Sequence, residues 1–362
     1  MTGWGPQTER MQIMRPESVL AALWERNLGI PIAGECNYFD LGGDSLRGAQ
    51  LITWIQQTFG VELSLLDVFE CSTLSSQARL IESRLTKHAL GGTPAAEYMY
   101  FGHGSTRLFG AMNRATAEPT SEGVVLCYPM GQEYMRIHRT YTELARGLAS
   151  AGYSVLRFDY FGCGDSEGNF LDATLERWID DIYLAYKELR SNAVSRIWLV
   201  GSRLGANLAL EASLSLPDLQ GLVLWEPIID GKTYISTLRR AHEDLLRNNA
   251  VLDGYERFPL PPRCCAEFVG YPFSRGLLDQ LAAIDLIAGA RLPAIPTLVV
   301  ANTEKRSLCD FAVRTNDERP MPDFVCTGEP DAIWLKEDRQ NKGVIPVKAV
   351  QNIISWIRSR YA

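Results

Sequence analysis

Two short stretches of this 362-residue chain carry residue types at spacings that chemistry requires. The first is Tyr38-Phe39-Asp40-Leu41-Gly42-Gly43-Asp44-Ser45-Leu46, an acidic, glycine-rich turn running into an amphipathic helix pattern with a serine at its start. A helix N-terminus presents unsatisfied N–H groups and the positive end of the macrodipole, so it stabilises a phosphodiester on the Ser45 oxygen. Gly42 and Gly43 let the backbone turn there without steric cost. The second stretch is Gly201-Ser202-Arg203-Leu204-Gly205-Ala206, set between an apolar strand pattern at 196–200 and a helix pattern at 204–215. In a Gly-x-Nuc-x-Gly turn the central residue sits at a strained tip aimed at substrate, and counting from Gly201 to Gly205 puts Arg203 there. Ser202 stands one position early, so an undistorted turn points its hydroxyl away from the pocket.

Serine hydrolysis also needs a general base, which in the α/β-hydrolase fold that this strand, turn and helix resemble follows the last strand, here near 323–326. The only histidines are His88, His103, His138 and His242, and none follows residue 242. Loss of both nucleophile and base argues against Ser-His-Asp chemistry. A guanidinium among pocket walls needs an anionic partner. Glu133, expected in the loop just after strand 123–128, is the candidate. Arg203 then either closes an emptied site by pairing with Glu133 or receives a carboxylate or phosphate of the substrate. Cys163 lies between Gly162 and Gly164, either as a second-site nucleophile or as a small side chain tolerated in a turn. Glu226, Asp230 and Glu304 follow strands where a triad acid would sit, or are solvated loop carboxylates. His138 is expected on a helix surface.

The run Phe39-Asp-Leu-Gly-Gly-Asp-Ser-Leu46 resembles the attachment motif of peptidyl and acyl carrier proteins, with Ser45 matching the modified serine. That resemblance implies covalent 4′-phosphopantetheine, a phosphopantetheinyl transferase to install it, an adenylation or acyl-ligase enzyme to load it, and downstream biosynthetic enzymes. The strand, turn and helix around Arg203 resemble the nucleophile elbow of the α/β hydrolases. Pro129-Met-Gly-Gln-Glu133, Arg157-Phe-Asp-Tyr-Phe-Gly-Cys-Gly-Asp-Ser-Glu-Gly168, Leu224-Trp-Glu-Pro-Ile-Ile-Asp-Gly231 and Gly270-Tyr-Pro-Phe-Ser274 extend the likeness. Together they resemble the hydrolases associated with exosortase A gene clusters, some of which carry Arg at the elbow tip. That family's name records a fold and a gene neighbourhood rather than a reaction.

The elements that must hold these residues follow from periodicity. Leu20, Leu23, Trp24 and Leu28 mark a helix over 17–29, a second follows Ser45, and a third carries Leu74, Ala78, Ile81 and Leu85. Residues 12–87 therefore read as an all-α carrier bundle, and the Gly- and Pro-bearing residues 88–97 as a linker. Beyond it, apolar runs at 123–128, 153–158, 196–200, 221–225 and 296–301 alternate with helices near 137–151, 175–192, 204–215 and 346–360. An antiparallel edge hairpin is expected at 98–101 and 106–112. This is a doubly wound, mostly parallel α/β-hydrolase fold over 98–362. The aromatic and Pro-rich residues 228–292, including Tyr234, Tyr271 and Phe273, read as an inserted lid.

The net charge of −7 and pI of about 5.3 argue against a nucleic-acid partner, which needs a basic face, and none is expected. No apolar run of membrane-spanning length occurs, and eight scattered cysteines without a Cys-x-x-Cys pair suggest neither a disulfide framework nor a metal site. The expected compartment is the cytoplasm. The expected function is action on the acyl or aminoacyl thioester held on Ser45, by transfer, release or rearrangement in thiotemplated biosynthesis. The alternative is a non-catalytic hydrolase fold that binds and shields the tethered intermediate or docks partner enzymes.

Overall fold

A computed structural model describes residues 16–32, 34, 36–59, 61, 63–89, 96–116, 121–248, 260–289, 291–302, 308, 311, 321–328 and 345–360. The chain divides into two compact units, Met1–Pro94 and Ala95–Ala362.

The first unit contains helices α1 (Pro16–Leu28), α2 (Ser45–Phe59), α3 (Leu65–Glu70) and α4 (Leu74–Ala89). Pro16 opens α1, where its missing N–H costs nothing. Ser64 and Asp67 form a reciprocal capping box on α3. Leu20, Trp24, Leu51, Ile55, Val68 and Ile81 are buried together as the core, and the Trp24 indole N–H donates to Gln77 Oε1 at 3.1 Å. Helix α4 continues two residues beyond the expected boundary at 87, because Lys87, His88 and Ala89 contain no helix breaker.

The second unit is built on a sheet of eight strands: β1 (Glu97–Phe101), β2 (Leu108–Asn113), β3 (Glu122–Cys127), β4 (Ser154–Phe158), β5 (Arg196–Ser202), β6 (Leu219–Trp225), β9 (Thr297–Ala301) and β10 (Asp323–Cys326). Their order across the sheet is β1-β2-β4-β3-β5-β6-β9-β10. β1 and β2 pair antiparallel, β2 joins β4 antiparallel, and every other ladder is parallel. Parallel strands buried on both faces favour apolar residues throughout, which is why Val124–Cys127 of β3 and Leu298–Ala301 of β9 read as hydrophobic runs. Helices α6 (Leu175–Ser191) and α7 (Leu204–Ser213) pack together, and α5 (Gly131–Ser150) packs with the final helix α11 (Val347–Ser359).

Between β6 and β9 the chain inserts α8 (Gly231–Asn248), a two-stranded hairpin of β7 (Cys264–Phe268) and β8 (Tyr271–Ser274), and helices α9 (Arg275–Ala282) and α10 (Leu286–Gly289). Part of the aromatic composition expected in this insert, Tyr255 and Phe258, lies outside the described residues, as does Glu304. One element departs from expectation with consequences for the site. Helix α5 begins at Gly131 rather than near 137. Gly131 takes φ +60° to turn the chain into the helix, and the polar first turn that masks the start contains the fully buried Glu133.

Candidate functional site

In the first unit, Ser45 is the first residue of α2 and is partly exposed. Asp44 precedes it as a cap, its Oδ1 accepting the Arg47 N–H at 2.8 Å. The turn before it is held from below: Gly43 N–H donates to the Tyr38 carbonyl at 3.0 Å. The buried Tyr38 ring leaves no space at that glycine, since a Cβ there would lie 2.3 Å from Tyr38 Cε1. The Tyr38 hydroxyl donates to Asn27 Oδ1 at 2.5 Å, fixing the ring. Burial, then the charge of Asp44, push its pKa up, so it stays a donor. This arrangement suits a phosphodiester on the Ser45 oxygen, set at a helix N-terminus beside a rigid turn.

In the second unit, β5 ends at Ser202 and α7 starts at Leu204, with Arg203 between them at φ +52° and ψ −125°. That is the strained tip of an elbow, in a backbone region non-glycine residues rarely occupy. The flanking small residues are required by close approach. A Cβ on Gly201 would meet the Gly205 carbonyl at 2.3 Å, and one on Gly205 would meet the Cys127 carbonyl at 2.3 Å.

The elbow tip is closed by a buried polar cluster that joins it to α5, to the residue after β6 and to α8. Arg203 Nε donates to Glu133 Oε1 at 2.9 Å, and Nη1 donates to the Glu226 carbonyl at 3.1 Å. The other Glu133 oxygen accepts the Tyr234 hydroxyl of α8 at 2.8 Å. The guanidinium lies over the Tyr234 ring, 5.5 Å from its centroid. The Arg203 side chain is 15% exposed and that of Glu133 0%. Burial opposes the charge on Arg203, but the Glu133 carboxylate and the neighbouring oxygens outweigh it and hold the pKa above the ordinary value. Burial, then Glu133, push the Tyr234 phenol far up, so it remains a neutral donor.

Ser202 is fully buried, and its Oγ accepts the Tyr141 hydroxyl at 2.9 Å. Glu133 belongs to the first turn of α5, not to the loop in which it is expected from sequence, and it still reaches Arg203. Asp230 caps the start of α8: its Oδ1 accepts the Thr233 N–H at 2.6 Å. Bonding to Thr233 lowers its pKa, and the residue is exposed, away from the cluster. Cys163 keeps its proton, because burial and then the charges of Asp159 and Asp181 push its pKa up, the reverse of what a thiolate nucleophile needs. His138 lies on α5 with much of its surface exposed, and partial desolvation of the ring, then the charge of Arg157, lowers its pKa.

Glu226 is not the solvated carboxylate expected. It is buried at φ +50°, and its Oε1 accepts the Asn302 N–H at 2.7 Å. Asn302, just after β9, accepts the Trp225 indole N–H at 3.0 Å, and Thr327 follows β10. Periodicity does not single out Tyr234 or Asn302 as site residues; Tyr234 stands out only as one aromatic of the insert. The described residues contain no group of three or more His, Cys, Asp or Glu side chains able to hold a metal ion. No described helix is long and apolar enough to cross a membrane.

Comparison with known proteins agrees with this division. Residues 18–81 match the family described as the phosphopantetheine attachment site, and residues 120–252 match serine aminopeptidase, S33. The chain is 36% identical over 91 residues to a dimodular nonribosomal peptide synthase of Bacillus subtilis (strain 168), covering 25% of this chain and 4% of that protein. It is 24% identical over 283 residues to gramicidin S synthase 2 of Brevibacillus brevis, covering 74% of this chain and 6% of that protein. The chain thus spans a small fraction of the length of these relatives. An esterase of Pyrococcus furiosus shares the fold at 14% identity and a TM-score of 0.52, over 74% of this chain and 91% of that one. Est1E of Butyrivibrio proteoclasticus, with ferulic acid bound, does so at 14% identity and a TM-score of 0.50, over 73% and 99%. The chain thus contains a phosphopantetheine carrier domain, whose prosthetic group is covalent 4′-phosphopantetheine, followed by a domain of α/β-hydrolase fold.

Proposed function

We propose that this carrier–hydrolase fusion holds an acyl or aminoacyl thioester on a phosphopantetheine arm at Ser45. The α/β-hydrolase domain then binds and shields the tethered group without cleaving it. The observation that carries this reading is the Arg203–Glu133–Tyr234 cluster. It fills the elbow tip where a hydrolase places its nucleophile, and it commits the guanidinium to an internal carboxylate.

The chemistry supports the same reading. Ser202 is turned into the interior and fully buried, the position after β10 offers Thr327, and no histidine follows residue 242 to take a proton. Among the described residues, the elbow tip presents neither an exposed serine nor a histidine to an arriving thioester. Ser45 carries the arm in this account because it stands at the capped N-terminus of α2 on the Gly42-Gly43 turn. The loading enzyme is an adenylating or acyl-ligating enzyme, working in a nonribosomal-type assembly.

The test loads Ser45 of the full chain with a series of acyl-phosphopantetheines and follows the thioester by intact mass. A shielding domain predicts a lifetime in the wild type equal to or longer than in the Arg203→Met/Glu133→Leu variant. A thioester that disappears quickly in the wild type and survives in the variant would assign catalysis to the cluster and overturn the proposal.

A further inference from the structure

β1 is the terminal strand of the eight-stranded sheet, and its one ladder among the described residues is with β2. An open strand edge is ordinarily guarded by lysine, proline, a bulge or extreme shortness, since its unpaired N–H and C=O groups template further pairing. Glu97-Tyr98-Met99-Tyr100-Phe101 has no lysine, proline or bulge, and its one charge, Glu97, is paired with Arg114. Its outward face is instead aromatic. Tyr98 is 71% exposed and Tyr100 52%. Phe109 of β2 joins them, stacked on Tyr98 at 6.0 Å and edge-on to Tyr100 at 5.4 Å. The opposite face is anchored by buried Phe101 against Phe158.

The charges at this edge are already neutralised within the chain. Glu97 is paired with Arg114 at 2.8 Å, and Arg107 with Glu167 at 3.0 Å while lying 4.8 Å over the Tyr100 ring. Nothing among these described groups repels an identical neighbour. The strand is also symmetric about its centre, reading Tyr98-Met99-Tyr100 in either direction.

We propose that β1 is a self-association surface, on which a second copy of this chain adds its own β1 antiparallel about a two-fold axis at Met99. In that register Tyr98 of each copy lies across from Tyr100 of the other, and the two Met99 residues face each other. Aromatic cross-strand pairs are among the favourable ones in antiparallel sheets. The contact is isologous and closes on itself, giving a dimer rather than a fibre.

Sedimentation velocity of the full chain across the micromolar range provides the test. The expected result is a dimer in the wild type and its loss in Tyr98→Lys/Tyr100→Lys, which brings like charges face to face across the strand pair. Circular dichroism of the lysine variant should keep the wild-type spectrum, showing that the monomer is folded. Met99→Cys reads the register: opposed residues of an antiparallel pair have Cα atoms about 4.5–5.5 Å apart, within disulfide range. Mild oxidation should therefore join the two introduced thiols in a cross-link between copies, identified by peptide mapping, that the wild type with its native cysteines lacks. A wild type that stays monomeric, a dimer that survives both lysines, open-ended aggregates in place of a dimer, or a dimer of the Met99→Cys variant without that cross-link would each overturn the proposal.

Discussion

Replacing Glu133 by leucine probes the elbow cluster where it is most exposed to failure. The substitution removes the carboxylate that faces Arg203 at 2.9 Å and leaves the Tyr234 hydroxyl without the oxygen it meets at 2.8 Å. Both the carboxylate and the phenol are buried, and the guanidinium is 15% exposed, so solvent screens little of the loss. Breaking a buried ion pair from one side costs about 3–5 kcal/mol, and an orphaned buried hydroxyl costs about 1–3 kcal/mol more. Such a loss is a large part of the whole stability of a typical domain, about 5–15 kcal/mol. The triple variant Arg203→Met/Glu133→Leu/Tyr234→Phe removes the paired charges and the orphaned hydroxyl together, leaving only the Glu226 carbonyl without its Arg203 donor. Apolar replacement of a buried pair is often neutral or stabilising, so the triple variant should recover most of the deficit. Urea titration followed by hydrogen exchange of peptides covering 196–213 reports on this domain separately from the carrier, whose transition is its own. The reasoning is refuted if Glu133→Leu costs less than about 1 kcal/mol, the level of a surface pair, or if the triple variant is as unstable as the single one.

Other outcomes follow from the same structure. A phosphopantetheinyl transferase with coenzyme A should add one arm to the wild type and none to Ser45→Ala, read as intact mass; labelling that persists would move the attachment site. Gly43→Ala should destabilise the carrier by about 1–3 kcal/mol through overpacking, because the new Cβ would lie 2.3 Å from Tyr38 Cε1, and thermal unfolding of the carrier checks it. Asp181 is held up to about 6, burial outweighing its bonds from Phe161 N–H and Arg177. A raised carboxyl pKa favours the fold below the ordinary value and loses that advantage as pH rises through the folded one. Asp181→Asn should therefore gain stability relative to wild type between pH 4 and 7, by up to about 3 kcal/mol at 1.36 kcal/mol per unit, with a flat difference across that range counting against it.

Much of the fold was legible because buried parallel strands must be apolar. The runs at 123–128, 153–158, 196–200, 221–225 and 296–301 each fall within about two residues of a strand, and the helix following Ser45 begins at the serine itself. The Arg203 tip was legible for a similar reason, since only small residues fit at Gly201 and Gly205. The Glu133–Arg203 pairing was among the expected readings; the helical placement of Glu133 and the burial of Glu226 were not. The first turn of α5 looks like a loop in sequence because Gln132 and Glu133 interrupt the apolar period, yet Glu133 is buried by Arg203, 70 residues on, and Tyr234, 101 residues on. Glu226 reads as a solvated loop acid for the same reason, its partner Asn302 being 76 residues away. A hydrogen bond across such separations leaves no periodicity in the local sequence.

Hydrogen–deuterium exchange on the full chain with a bare arm, compared with the same chain carrying an acyl thioester, tests binding without cleavage most directly. Loading should slow exchange in the first turn of α5, at the elbow around Arg203 and in the Tyr234 turn of α8, while intact mass shows the acyl group still attached at the end of the labelling period. Unchanged exchange at all three segments, or loss of the acyl group during the experiment at a rate that Arg203→Met abolishes, would contradict the account.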